Sequence, residues 1–348
     1  MFALAVTTLT GSGCRDRAMN PLVKREHGKV WIKGVPALRW GHGKDVTFIG
    51  SLEAGLAVTD RPYSYSDLMG YSGMAFRMRW FRGDTGQRGS TSCVVAEFPE
   101  EYLAIERATG WHIENKVEGL VGTFRDQCDM TRFAVDIVAS IDAGMPVLTY
   151  PPHWNVAVVY GYENEGKKLL LRDYDKGDET LEIDTAELVP FLVFLEDKGK
   201  PLSPRDAFLE GLRVAVINWN REPLYNEYNG GRYFYGPAGF ELWQEDVKFR
   251  AASAEEPKES GFGDSWTMDS LRDARSAGVA FLREHAGLLG EAGQAALERA
   301  AELYEQEAEM LRSENRETKN ADEFCKYLEK LCAIESEVVA QIVKALDG

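Results

Sequence analysis

The chain has no run approaching ~18 consecutive apolar residues, so its sequence predicts no membrane-spanning helix. It has no phosphate loop of the GxxxxGK type, no glycine fingerprint for a dinucleotide, no internal repeat and no low-complexity tract. Positive charge is also scarce. Lys and Arg number 40 against 56 Asp and Glu, for a net charge of −16. That sign argues against sequence-independent nucleic-acid binding, which needs a basic surface to neutralise phosphates. It is compatible with a cationic or neutral small ligand, and equally with solubility alone. The five cysteines (Cys14, Cys93, Cys128, Cys325, Cys332) are odd in number and form no CxxC pair. This suits reduced thiols in a cytoplasm better than a disulfide framework or a zinc site. Cys325 and Cys332 lie seven apart on a helical pattern and read as small apolar packing residues. No cluster has metal-ligand spacing, and no cofactor or metal is expected.

The first residues carry a short apolar run, 2–9, followed by Gly11-Ser12-Gly13-Cys14, the outline of a lipoprotein signal. No Lys or Arg precedes the run, the run is shorter than a signal core, and Gly11 stands where such signals usually have leucine. Residues 1–20 therefore read as a flexible tail of a cytoplasmic protein, with a lipid anchor through Cys14 as the alternative.

What is present is a globular composition, 44% apolar and 28% charged, in a chain of 348 residues, enough for one large domain or two ordinary ones. Helix-like spacing covers 45–58, with Gly50-Ser51 where that helix should begin, then 65–69, 100–108 and 132–143, the last ending at Gly144. MAFRMRWF at 74–81 alternates like a strand, and it places Arg77 and Arg79 on one face, suited to a carboxylate or phosphate or to a half-exposed sheet surface. Three strands follow at 146–150, 155–162 and 169–174, the last two joined by an Asn164-Glu165-Gly166 turn. Ser203-Pro204 caps a helix to about Trp219. Residues 220–240, rich in Tyr, Gly and Asn, read as a long ordered loop able to stack aromatic faces on a ligand through Tyr233 and Tyr235. Residues 252–263 read as a linker, and three amphipathic stripes after it predict three antiparallel helices. On one of those stripes His285 reads as a core residue.

Chemistry concentrates in Pro152-His153-Trp154-Asn155 and the two strands behind it. His153 opens one strand and Asp173 ends the next, so a carboxylate can orient an imidazole across adjacent antiparallel strands. A histidine at a sheet edge with no catalytic role gives the same pattern. Cys93, in a Ser/Thr-rich loop, is the thiol best placed to react, though a half-buried structural thiol fits as well. Cys128 sits among acids that would raise its pKa. His42 lies just before the predicted first helix, where it can line a cleft or face solvent.

Gly144-Met145-Pro146-Val147, His153-Trp154, the strand ending Gly161-Tyr162 and the strand ending at Asp173 together resemble the His/Asp half of papain-like bacterial enzymes. FIGSLEAGLAV and YSYSDLMGYSGMAFRMRW resemble the front of one of these, the butirosin-biosynthesis acyltransferase N-terminal family; the double-glycine leader peptidases are the other. The resemblance covers residues 28–200 and implies an α+β fold, a papain-like domain of helices plus antiparallel sheet at 21–200. Beyond it lie a helix, aromatic loop and linker at 201–262 and a three-helix C-terminal domain at 263–348. It also implies a cysteine at the start of the first long helix, where this chain has Thr47-Phe48-Ile49-Gly50-Ser51 and Ile49 stands at the expected position.

Three outcomes stay open: a binding cleft without chemistry, a Ser51 or Thr47 hydroxyl as nucleophile, or Cys93 supplying the thiol from another loop. The expectation is an acyl-transfer or amide/thioester hydrolase acting on a small molecule or peptide. In it Cys93 attacks, His153 carries the proton, Asp173 orients the ring, and amides around Gly50 and Ser51 steady the oxyanion. His42, Trp154, Tyr233 and Tyr235 would bind substrate. The alternative is a non-catalytic papain-like ligand-binding protein.

Overall fold

The structure, a computed structural model, describes residues 20–86, 88–89, 99–117, 128–152, 155–197, 199–226, 230–252, 260–316 and 320–348. Cys14, Cys93, His153 and Trp154 lie outside these residues. In chain order come β1 (Val23–Glu26), β2 (Lys29–Ile32), α1 (Thr47–Leu56), α2 (Tyr65–Tyr71), β3 (Arg79–Gly83), β4 (Arg88–Gly89), α3 (Pro99–Thr109) and β5 (Trp111–Asn115). Then follow α4 (Ala134–Asp142), β6 (Val147–Tyr150), β7 (Ala157–Glu163), β8 (Lys168–Arg172), β9 (Leu181–Asp184), β10 (Val189–Asp197) and α5 (Pro204–Trp219). The chain continues with β11 (Leu224–Asn226), β12 (Gly231–Tyr235), α6 (Gly236–Ala252), α7 (Ser260–His285), α8 (Glu291–Met310) and α9 (Ala321–Asp347).

The larger sheet runs β1-β2-β7-β6-β10-β5, with β8 on the other edge of β7 and β9 beside β8. Every pairing is antiparallel. A second sheet, β11-β12-β3-β4, is antiparallel too. Helices and antiparallel sheets in one chain make an α+β fold. The strand β7 reads as a continuous apolar run because it is buried on both faces, with α1 and α4 packed against it. Among the described residues no helix is long and apolar enough to cross a membrane.

Local signals account for most boundaries. Ser203 accepts the Asp206 N–H and Pro204 takes the first position of α5. Gly144 follows α4 at φ 85°, a left-handed residue that stops the helix. The β7–β8 turn uses three residues of positive φ, Asn164, Glu165 and Gly166. Two expectations are corrected. Residues 74–76 form a one-turn 3-10 helix, and the strand begins only at Arg79. The expected aromatic loop at 220–240 is a β11–β12 hairpin running straight into α6. Alternation explains this: Gly231, Tyr233 and Tyr235 point inward while Arg232 is exposed.

A single hydrophobic cluster joins α1 (Phe48, Ile49, Leu52), α2 (Leu68, Met69), α5 (Phe208, Leu212), α7 (Phe281, Leu282), α8 (Leu297) and α9 (Ile342). The C-terminal helices thus share a core with the helices ahead of the sheet. Buried charge reinforces the joint. Arg77 donates to both oxygens of Glu101 at 2.8 Å, and Asn218 adds a third bond to that carboxylate. Arg275 on α7 is fully buried. It bonds Glu335 on α9 and reaches back to the Ala75 carbonyl at 2.9 Å. Glu307, also fully buried, lies 3.7 Å from Arg275. Burial, and then the charge of Glu335, push the Glu307 carboxyl well above the usual range.

Removing one partner of a buried pair strands the other. Arg275→Ala is expected to destabilise the chain by about 3–5 kcal/mol. Arg283→Ala, which loses only exposed pairs with Glu305 and Glu298, should cost roughly 0–1 kcal/mol. Glu307→Gln replaces a carboxyl whose charged form burial disfavours with an amide of the same shape and should shift stability by less than about 1 kcal/mol. Urea unfolding of the three variants checks the order.

Candidate functional site

The start of α1 is held between two loops and one face of α7. Before the helix, Trp40 Nε1 donates to Asp175 Oδ1 at 3.0 Å and the Tyr174 hydroxyl donates to the Lys44 carbonyl at 2.7 Å. Arg39 pairs with Asp178. These contacts latch the segment 39–44 onto the turn that follows β8. Asp173 opens that turn, its side chain fully buried, with Oδ1 accepting the Asp175 N–H at 2.9 Å.

Within the helix, Val46 is the N-cap and Thr47 the first helical residue. The Thr47 hydroxyl oxygen accepts the Val156 N–H at 3.3 Å, and one turn later the Ser51 hydroxyl donates to the Val156 carbonyl at 2.9 Å. Both hydroxyls therefore clamp one peptide, just ahead of β7. Three expectations change here. Ile49, expected at the nucleophile position, is the third helical residue and lies fully buried in the main core; Thr47 holds the helix start. The Gly50 amide already donates to the Val46 carbonyl at 2.9 Å, closing the first helical bond, so it is not an open oxyanion donor. Ser51 is fully buried and its hydroxyl is committed to Val156. Gly50 serves packing instead: a methyl there would collide with the Tyr174 hydroxyl.

From α7 come Trp266 and Asp273, seven residues apart and so on one helical face. Trp266 meets Trp40 edge-on at 5.6 Å, and Trp40 meets Tyr174 at 4.8 Å. Asp273 is 4% exposed; its Oδ2 accepts the Tyr65 hydroxyl proton at 2.5 Å, while the Tyr65 oxygen accepts the Val46 N–H at 3.0 Å. Burial pushes the Asp273 carboxyl up to about 6, against bonds from Tyr65 and the amides of Asp45 and Val46 that favour the ionised form. Asp45 is raised as well, chiefly by burial, although its Oδ1 accepts the Gly41 N–H at 2.7 Å. The positive end of α1 thus faces a carboxylate of the same chain.

A pocket of about 200 Å³ opens on the flank of the helix start, lined among others by Arg39, His42, Lys44, Gly50, Glu53 and Tyr174. It brings His42 and Gly50 together beside Tyr174. Tyr233 and Tyr235 are not there. Both are 1% exposed strand residues, and the Arg79 guanidinium lies 4.2 Å over the Tyr233 ring, so neither is a loop residue open to a ligand. Arg77, expected as an anion anchor, is taken by Glu101. His285 is not simply apolar core: its Nε2 lies 2.8 Å from Asp67 Oδ1.

Sequence reading missed Asp273, Tyr65 and Trp266. Asp273 lies 208 positions from its partner Tyr65, and its neighbours carry only an amphipathic helix pattern, so no local spacing announces it.

Because the folded pKa of Asp273 is raised above 3.8, the folded state binds the extra proton. The contribution of Asp273 to stability is fully present below about pH 4 and is lost as pH rises toward about 6, by roughly 3 kcal/mol at most. Asp273→Asn removes the charge but leaves an acceptor for Tyr65. Its stability relative to the wild type is expected to rise between pH 4 and pH 6.5 and to level off above; urea unfolding across pH 4–8 measures the profile, and a flat difference contradicts it. Against protein-family models and curated proteins alike, the chain finds no match.

Proposed function

We propose that the chain is a papain-like protein that holds a small polar molecule or a peptide end beside the start of α1 and carries no nucleophile on that helix. Thr47 supports this most. The residue at the helix start is an alcohol, 5% exposed and already bonded to Val156, where a papain-like enzyme needs a thiol. A thiol there would be activated by the helix end and an imidazole. A secondary alcohol requires a strong base within hydrogen-bond reach. Asp273 adds a negative charge near the place where an oxyanion would have to be stabilised, and like charge opposes its formation. The pocket is smaller than those that enclose drug-sized ligands, and its mixed lining of Arg39, His42, Lys44 and Glu53 suits a small polar group.

The acyl-transfer or hydrolase reading keeps one observation on its side. Asp173 is fully buried at the end of β8, the neighbour of the strand that follows His153, and a buried carboxylate is costly unless bonded. In that reading Cys93 attacks, His153 takes and returns the proton, and Asp173 orients the imidazole.

The two readings separate in one experiment. The full chain, with Cys93→Ser, Thr47→Ala and His153→Ala variants, is incubated with a thioester and a p-nitrophenyl ester, and adducts are mapped by mass spectrometry alongside cysteine alkylation at graded pH. The binding reading expects no turnover above background, no acyl adduct on Cys93 or Thr47, and Cys93 alkylation with a midpoint near ~8.5 that His153→Ala leaves unchanged. An adduct on Cys93 that disappears in His153→Ala overturns it in favour of the hydrolase, and an adduct on Thr47 overturns it in favour of a hydroxyl nucleophile.

A further inference from the structure

The end of α7 meets the first turn of α2 at three potential ligands. Asp67, Glu284 and His285 each present one donor atom, and the three atoms lie within 4.8 Å of one another. Ligands around one zinc ion at 2.0–2.2 Å are spaced about 3–4 Å apart, so modest side-chain adjustment closes the group on a cation. Its parts are held from behind. Ser64 caps α2 and bonds the second Asp67 oxygen at 2.7 Å, which fixes that carboxylate. The His285 ring packs against Phe281 at 5.0 Å, Phe208 at 5.4 Å and Tyr71 at 6.2 Å, so its orientation is set by three aromatic neighbours.

An Asp67–His285 hydrogen bond alone would explain two of the three. It does not explain Glu284, whose carboxylate is directed to the same point and forms no ion pair among the described residues. Two carboxylates and an imidazole backed by an apolar wall converge on one point, an arrangement suited to a positive charge.

We propose that Asp67, Glu284 and His285 form a binding site for a divalent transition metal, clamping the end of α7 to the start of α2. Three protein ligands leave at least one coordination position on the exposed Glu284 side for water. Imidazole with carboxylates suits Zn²⁺ better than Mg²⁺, which prefers an all-oxygen octahedron. His285 binds through the Nε2 lone pair, so the proton that faces Asp67 moves to Nδ1 or to solvent, and protons compete with the metal for that nitrogen.

The test uses the full chain stripped with chelator, titrated with ZnCl₂ and separately with MgCl₂ by calorimetry, with thermal unfolding at each end point. Glu284→Gln is the main variant, because that side chain is exposed and forms no ion pair among the described residues; His285→Gln is the second, and Glu302→Gln, on α8, controls for the chain's overall charge. One Zn²⁺ per chain is expected to bind with micromolar affinity and raise the melting temperature by several degrees, Mg²⁺ to do neither, and Glu284→Gln to weaken Zn²⁺ about tenfold or more while Glu302→Gln leaves it unchanged. Absence of binding at ~100 µM Zn²⁺, or stoichiometric binding that Glu284→Gln and Glu302→Gln affect equally, overturns the proposal.

Discussion

Arg275 has no access to water, and a guanidinium in that position must have its donors answered by the protein. The answers come from two directions. Glu335 on α9 accepts on one side, and the backbone carbonyls of Ala75 and Arg77 accept at 2.9 and 3.4 Å on the other. Because those carbonyls belong to the segment between α2 and β3, the guanidinium can be satisfied only when the C-terminal helices are docked on the N-terminal ones. Hydrophobic burial along the same joint supplies most of the driving force, but it is non-directional. The hydrogen-bonded charge fixes one register of α7 among those that would bury similar area, and α7 in that register sets what meets the start of α1.

That register places Asp273 at Tyr65 and Trp266 at Trp40. A helix N-terminus carries about half a positive charge and open N–H groups, which is why nucleophilic thiolates and bound anions are found there. Here Val46 lacks a side-chain cap of its own, and the chain supplies the Asp273 carboxylate, 208 residues beyond Tyr65, through the Tyr65 hydroxyl. The arrangement stabilises α1 at the cost of a carboxylate held partly out of water. The same positive end cannot serve fully both an internal carboxylate and a developing oxyanion, so the feature that steadies the helix weakens the case for acyl chemistry on it.

How much of this was legible in the sequence depended on range. The α5 cap at Ser203-Pro204, the α4 stop at Gly144 and the Asn164-Glu165-Gly166 turn are written within four residues of where they act, and the structure has each of them. The β7 strand was legible because apolar and aromatic residues run on from Ala157 to Tyr162 in a segment buried on both faces. The 220–240 segment was misread because Tyr, Gly and Asn are turn-formers by composition, whereas their spacing of two put Gly231, Tyr233 and Tyr235 on one inward face against β3. The start of α1 was read three residues late: Gly50-Ser51 suggested the beginning, but the helix begins at Thr47 after the N-cap Val46, whose partner is tertiary. Residues whose roles depend on partners more than 200 positions away, Asp273 and His285 among them, left no periodic trace.

The expectation for His285 shows why such a trace was absent. Its position on an apolar stripe was read correctly, since Phe281, Phe208 and Tyr71 pack around the ring. An imidazole, however, has an apolar face and two polar edges, and a stripe constrains only the face. What the Nε2 edge meets is decided by α2, whose first turn is positioned by the Ser64 cap and by the docking of α7 itself. Periodicity therefore fixes which side of a helix a histidine occupies, while the chemistry it performs is fixed by the element packed against that side. The same division holds for Asp173: its place at the end of β8 follows from the strand pattern, while what its buried carboxylate does depends on the elements packed around it.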